Sequence, residues 1–82
     1  MMIKVRVFVT YKQSVFDPQG DTIAKTVHAI GHSEVESVQV GKFFDLSLKT
    51  TPDQVATVVK DIATNLLVNF NMETYTYQVL EG

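Results

Sequence analysis

The sequence predicts an α+β fold, in which an antiparallel sheet is covered on one face by two helices. Segments with alternating apolar and polar residues are interspersed with two segments whose apolar residues recur every three to four positions, giving the order β-α-β-β-α-β. Each helical segment has one apolar face, so the simplest arrangement places both helices on the same side of the sheet. At 82 residues the chain is expected to form one domain, residues 1–82.

Composition excludes several classes of protein. The chain carries 7 Lys+Arg and 9 Asp+Glu, for a formal charge of −2, with 45% hydrophobic residues. That mixture is too apolar for a disordered chain, and a domain that binds nucleic acid phosphates is usually basic. Without cysteine there is no disulfide, thiolate nucleophile, zinc ribbon or iron–sulfur site. The sequence has no apolar run long enough to span a membrane, and its charged N-terminus lacks a signal-peptide core, so a cytoplasmic location is expected.

The first half of the chain predicts a strand, a turn and a short helix. Residues 3–11 alternate, with Ile3, Val5, Val7, Val9 and Tyr11 on one face and Lys4, Arg6, Phe8 and Thr10 on the other. Asp17-Pro18-Gln19-Gly20 has the residue preferences of a β-turn, after which Asp21 or Thr22 would cap a helix over 21–30. Gly31 is expected to end this helix.

The second half predicts two strands, a longer helix and a last strand. Residues 34–40 and 43–49 are expected to form strands joined by a hairpin turn at Gly41-Lys42. Thr51-Pro52-Asp53-Gln54 resembles a capping box, which would start a helix reaching about Val68. Residues 72–80 form the final strand. Together these elements predict the ferredoxin-like arrangement of four antiparallel strands with two helices on one face.

Two phenylalanines are expected on the sheet face that the helices leave open. If the valines of the first strand face the helices, Phe8 and Phe43 face away from them. The final strand contributes either Tyr75, Tyr77 and Val79 or the alternate set with Leu80. Burying one Phe side chain stabilises an interface by roughly 1.5–3 kcal/mol. Phe8 and Phe43 are therefore the candidate dimer interface, with the open face used for dimerisation.

Catalytic chemistry is not indicated by the motifs. His28 and His32 have the i, i+4 spacing of helical metal ligands, but Gly31 ends the helix between them, so no metal site is expected. No serine stands in a nucleophile-elbow motif, and no glycine-rich phosphate loop is present. The carboxylates fall at turns, caps and exposed strand positions. The residues thus favour a non-catalytic association module, while a small-molecule regulatory domain remains open.

The ordered motifs resemble one family. They are Val5-Arg6-Val7-Phe8-Val9-Thr10-Tyr11-Lys12, Val15-Phe16-Asp17-Pro18-Gln19-Gly20, His28-Ala29-Ile30-Gly31-His32, Val35 to Lys42 and a closing strand with Tyr75. This order is similar to PurS, the small subunit of phosphoribosylformylglycinamidine (FGAM) synthase. The resemblance implies a complex in which a glutaminase subunit, PurQ, releases ammonia. A synthetase subunit, PurL, then uses ATP to convert formylglycinamide ribonucleotide (FGAR) to FGAM.

The resemblance also implies the role of this chain. It would carry no active site and bind no cofactor alone, since ATP, Mg²⁺ and glutamine are used by the partner subunits. As a homodimer, or a dimer of dimers, it would bridge PurQ and PurL and support ammonia transfer. Loops often carry contacts with partners. The candidate partner-binding residues are Asp17, Pro18, Gln19, Gly20, Gly41 and Lys42. The alternative is a stand-alone ferredoxin-like regulatory domain that binds a small ligand at a dimer interface.

Overall fold

The α+β prediction is confirmed by the computed structural model, which describes residues 1–81. Strand β1 (Met2–Tyr11) is followed by helix α1 (Pro18–Ala29) and strand β2 (Gly41–Lys49). Helix α2 (Val55–Ile62) begins with a 3₁₀ turn (Pro52–Gln54) and ends in a π-helical turn (Ala63–Leu67), and strand β3 (Glu73–Glu81) closes the fold. The helix predicted from residue 51 to about 68 is thus one continuous helical segment that starts with a 3₁₀ turn and ends with a π-helical turn.

The sheet is antiparallel, with strand order β2-β1-β3 and β1 at its centre. Phe8 lies opposite Phe43 in β2 and opposite Thr76 in β3, while Val7 lies opposite Phe44 and Tyr77. Since directly paired residues share a face, this register decides the open question about the last strand. Its tyrosines share the face of the β1 valines, and its threonines share the face of Phe8.

The core lies between β1 and α2. Ile3, Val5, Val7 and Val9 are at most 1% exposed, as the two-residue period predicted. The residues packed over them are Val55, Val59, Ala63 and Val68. The first three recur every four residues along α2 and into its π-helical turn, so one helical face covers the central strand, and Val68 follows that turn. Neighbouring apolar side chains of β2 and β3 are only half-buried, namely Phe44, Leu46, Leu48 and Tyr75.

The predicted fourth strand over residues 34–40 is wrong, and so is the hairpin turn at Gly41-Lys42. Gly41 already belongs to β2 and lies opposite Thr10. Within residues 1–81, the one glycine with a positive φ is Gly31 (φ 108°), so the chain does not reverse at Gly41. Residues 35–40 therefore precede β2 outside the sheet and pair with no strand of the described chain.

The ends of the helices correct one prediction and confirm another. Helix α1 begins at Pro18, three residues earlier than expected, because Asp17 and not Asp21 is its N-cap. It ends as predicted at Gly31: Gly31 N–H donates to His28 O and His32 N–H to Val27 O, both at 3.1 Å. The capping box at Thr51 does not form, as the Thr51 side chain makes no capping hydrogen bond in the described chain.

The molecule is elongated and exposes more surface than a compact chain of its size. Its radius of gyration is 16.0 Å, whereas about 12 Å is usual for this length. Its accessible surface is 5940 Å² for 9.2 kDa, whereas about 4,900 Å² is usual. Large apolar side chains are among the exposed residues: Ile23 of α1 and Ile30, at its C-cap, are 39% and 71% exposed. Apolar surface of this extent favours association with other chains.

Candidate functional site

Asp17 ties the start of α1 to the segment that enters β2. Its Oδ1 accepts the Gly20 N–H and its Oδ2 accepts the Val40 N–H, both at 2.9 Å. The Gly20 N–H, then the Val40 N–H, hold the pKa of the Asp17 carboxyl below its usual value, because both hydrogen bonds favour the ionised form. One carboxylate thus holds together two segments that are 23 residues apart in sequence.

Two glycines allow the backbones at this junction to approach closely. A Cβ on buried Gly20 would lie 2.2 Å from the Val38 carbonyl oxygen. A Cβ on Gly41 would lie 2.7 Å from Thr10 Cγ2 and 2.8 Å from the Val9 carbonyl oxygen. Neither position leaves room for a side chain. Glycine is needed at both for close approach and not for a turn.

A cavity of about 350 Å³ opens where these segments meet at the end of the sheet. The start of α1 forms one wall, the start of β2 a second, and the ends of β1 and β3 the rest. Its lining residues are Val9, Thr10, Tyr11, Asp17, Pro18, Gln19, Val40, Gly41, Lys42 and Glu73. Lys42 Nζ lies 3.9 Å from Glu73 Oε2, so a cation and an anion stand together at the cavity.

The open sheet face carries an aromatic pair with a charged neighbour. The ring centroids of Phe8 and Phe43 are 6.3 Å apart and tilted by 53°. The Arg6 guanidinium lies 4.4 Å from the Phe43 centroid and pairs with Asp45 through bonds of 2.7 and 3.0 Å. This bond to Asp45 raises the pKa of Arg6 and lowers that of Asp45. Phe8 and Phe43 are 37% and 55% exposed, so both rings are accessible on this face.

The histidines serve local contacts in the structure. The His28 ring Nε2 bonds to the Val35 carbonyl, and His32 Nδ1 lies 2.7 Å from Glu34 Oε1. Within residues 1–81, no three His, Cys, Asp or Glu side chains are grouped to hold a metal ion. The helices of that same part of the chain are also too short or too polar to cross a membrane.

Comparison with known proteins assigns the family. The model of the family "PurS: Phosphoribosylformylglycinamidine (FGAM) synthase" matches residues 4–81. The PurS subunit of Bacillus subtilis FGAM synthase is 36% identical over 80 residues, which cover 98% of this chain and 95% of that protein. This chain belongs to the PurS family.

Solved PurS structures share the whole fold. A Bacillus subtilis PurS crystal structure, 36% identical, has a TM-score of 0.84 and covers 99% of this chain and 100% of its own. A chain of the Thermotoga maritima PurLQS structure, 27% identical, has a TM-score of 0.89 and covers 98% of this chain and 99% of its own. The similarity therefore extends over both candidate sites of this PurS-family chain.

The structure brings the sequence-predicted partner-binding residues of this PurS-family chain to one place. Asp17, Pro18, Gln19, Gly41 and Lys42 line the cavity, and Gly20 is buried below it. Sequence reasoning missed Glu73, which lies opposite Tyr11 at the first position of β3. Antiparallel pairing of the first and last strands could have placed Glu73 there, because the start of one strand meets the end of the other.

Proposed function

We propose that residues 1–82 act as one PurS-like domain, the small non-catalytic subunit of an FGAM synthase of purine biosynthesis. It bridges a glutaminase subunit, PurQ, and a synthetase subunit, PurL, in the cytoplasm, and supports the passage of ammonia between them. ATP, Mg²⁺ and glutamine are used by the partners. The observation that carries this proposal is the match of residues 4–81 to the PurS family model. A similar chain was solved within the Thermotoga maritima PurLQS structure.

The chemistry of the chain is consistent with an adaptor. Glutamine hydrolysis by a thiolate needs cysteine, and the sequence has none. Holding ATP in a standard cradle needs a glycine-rich loop, and none of its four glycines stands in one. What the chain offers is exposed apolar surface and a junction that two hydrogen bonds to Asp17 hold together.

The cavity at the end of the sheet is the surface proposed to dock a partner. The two Asp17 hydrogen bonds hold the backbone of its walls, which reduces the conformational entropy that the backbone beside Pro18 and Gln19 loses on binding. Lys42 carries a cation at the rim that can attract an acidic group. The open face with Phe8 and Phe43 is proposed to join two copies of this chain.

A binding measurement with the partner subunits tests the docking surface. Lys42→Glu reverses the charge at the cavity and places it beside Glu73, and we expect affinity for the PurL–PurQ pair to fall at least tenfold. Lys60→Glu, an equal charge reversal at an exposed position of α2, should leave the affinity unchanged. Equal affinities of wild type and Lys42→Glu, with matching unfolding midpoints, would exclude this surface from docking.

A further inference from the structure

Strand β3 has an outer edge that no other strand fills. Only β1 pairs with β3 within the described chain. Just beyond the paired residues, the Lys12 N–H donates to the Met72 carbonyl oxygen at 2.9 Å. Opposite residues of antiparallel strands hydrogen-bond at every second position, so the register fixes which backbone groups of β3 turn toward β1. Those that turn toward β1 belong to Thr74, Thr76 and Gln78. Those that point outward, where residues 1–81 supply no backbone partner, belong to Tyr75, Tyr77 and Val79.

This edge lacks the residues that usually keep strands of different molecules apart. Natural edge strands are protected by lysine, proline or an inward-pointing charge, or by a bulge that twists the edge away. Residues 74–80 contain no charged residue and no proline, and most of them are Thr, Tyr or Val, which favour strands. The bulge in the pairing with β1 lies between Lys4 and Val5, at the C-terminal end of β3. The rest of the edge is therefore open to a further strand.

The charges at the two ends of β3 indicate which strand fits beside it. Glu73 and Glu81 are its first and last residues. If two copies of this chain paired their β3 strands over the full length, about a two-fold axis at Tyr77, Glu73 would lie opposite Glu81 at both ends. Like charges that lie directly opposite each other are destabilising. A strand of another chain with Lys or Arg at these two positions forms pairs of opposite charge instead.

We propose that the docked PurL–PurQ pair adds one of its strands to the outer edge of β3 and so extends this sheet. Tyr77 and Val79 are 39% and 48% exposed on the side of the sheet that carries the β1 valines, so apolar residues of the added strand contact them there. Glu73 also lines the cavity proposed to dock the partners, which makes the edge a continuation of that surface. The added strand rests on the proposed function, because the docked partners supply it.

Hydrogen exchange of single amides in the full-length chain tests the added strand directly. In the free chain, the outward amides of Tyr75, Tyr77 and Val79 should exchange at least tenfold faster than those of Thr74, Thr76 and Gln78, which bond to β1. Binding of the PurL–PurQ pair should slow the outward amides at least tenfold. Outward amides that remain fast in the complex would overturn the proposal. Outward amides that are already slow in the free chain would also overturn it, since a second copy would then occupy the edge.

A proline variant and a matched control test the same contact by affinity. Tyr77→Pro removes an outward N–H without removing a hydrogen bond to β1, and we expect the affinity for the PurL–PurQ pair to fall at least tenfold. Tyr77→Thr changes the same side chain but keeps the N–H, and it should bind more tightly than Tyr77→Pro. Matching unfolding midpoints of the two variants show that the fold is kept, and the exchange measurement on the unaltered chain needs neither variant.

The outcomes separate the added strand from the docking cavity. Equal affinities of Tyr77→Pro and wild type, together with a loss of affinity in Lys42→Glu, would overturn the added strand and leave the proposed function standing. A wild-type chain that does not bind the PurL–PurQ pair at all would overturn both.

Discussion

At the scale of single residues, Asp17 is the position on which the candidate site most depends. It caps α1 and also fixes the start of β2 through Val40. We expect Asp17→Ala to lower the urea midpoint of unfolding more than Asp17→Asn, because the amide oxygen still accepts one of the two N–H groups. Equal midpoints of wild type and Asp17→Ala would contradict the role of this carboxylate.

The same carboxylate predicts a pH dependence. Because its pKa is lower in the folded chain than in the unfolded chain, Asp17 stabilises the fold fully above its ordinary pKa of about 3.9. That contribution is lost as pH falls through the lowered folded value. We therefore expect the gap in unfolding free energy between wild type and Asp17→Asn to be constant from pH 6 to 7 and to shrink below pH 4. A constant gap throughout would contradict the cause assigned to the shift.

Gly20 and Gln19 are adjacent in sequence, but Gly20 is buried and Gln19 is exposed. A Cβ at Gly20 meets a backbone carbonyl that is fixed by the same junction, so Gly20→Ala should lower the free energy of unfolding by about 1–3 kcal/mol. Gln19→Ala, on the exposed surface, should change it by less than about 0.5 kcal/mol. Chemical denaturation of both variants checks this, and equal losses would contradict the close approach at Gly20.

Which residues belong to the site could be predicted only in part. Asp17, Pro18 and Gln19 stood out as a turn motif, and Gly41 and Lys42 as a hairpin signal, but for Gly41 the reason was wrong. The sequence offers no local signal that Gly20 touches Val38, because that contact depends on the path of a loop. A sequence does not distinguish a glycine needed for close backbone approach from a glycine needed for a turn.

At the scale of elements, the packing of α2 on β1 should dominate stability. Val59 is fully buried against the β1 valines, whereas its neighbour Val58 is only half-buried. We expect Val59→Ala to lower the free energy of unfolding by about 2 kcal/mol, and Val58→Ala by about half of that or less. Denaturant titrations give both values, and a larger loss for Val58→Ala would contradict the orientation of α2.

Periodicity predicted the strands of the sheet well and failed for the segment at residues 34–40. The alternation predicted for β1 was confirmed. The aliphatic residues of its predicted core face are all buried under one helix, and a strand with one buried face must keep apolar residues at every second position. Residues 34–40 have the same strand-like pattern, with Val38 and Val40 on one side, yet find no strand neighbour within the described chain. A sequence pattern indicates that a segment is extended, but not which chain will pair with it.

At the scale of the whole molecule, the open sheet face should govern part of its self-association. Phe8→Asp or Phe43→Asp places a charge on an exposed aromatic pair, and we expect the sedimentation coefficient at micromolar concentration to shift toward the smaller species. Leu66→Asp changes an apolar residue outside this face that is even more exposed, at 79%, and should sediment like wild type. Identical profiles for all three variants would remove the open face from the assembly.

The division of labour within the complex yields the most direct test. An adaptor that supports ammonia transfer is needed when ammonia comes from glutamine, and much less when ammonia is supplied in solution. The measurement is FGAM formation by purified PurL and PurQ, with glutamine or with ammonium chloride, in the presence and absence of this chain. For a chain with this role, we expect its omission to reduce the glutamine-dependent rate at least tenfold and to leave the ammonia-dependent rate largely intact. A glutamine-dependent rate that does not change when the chain is omitted would contradict it.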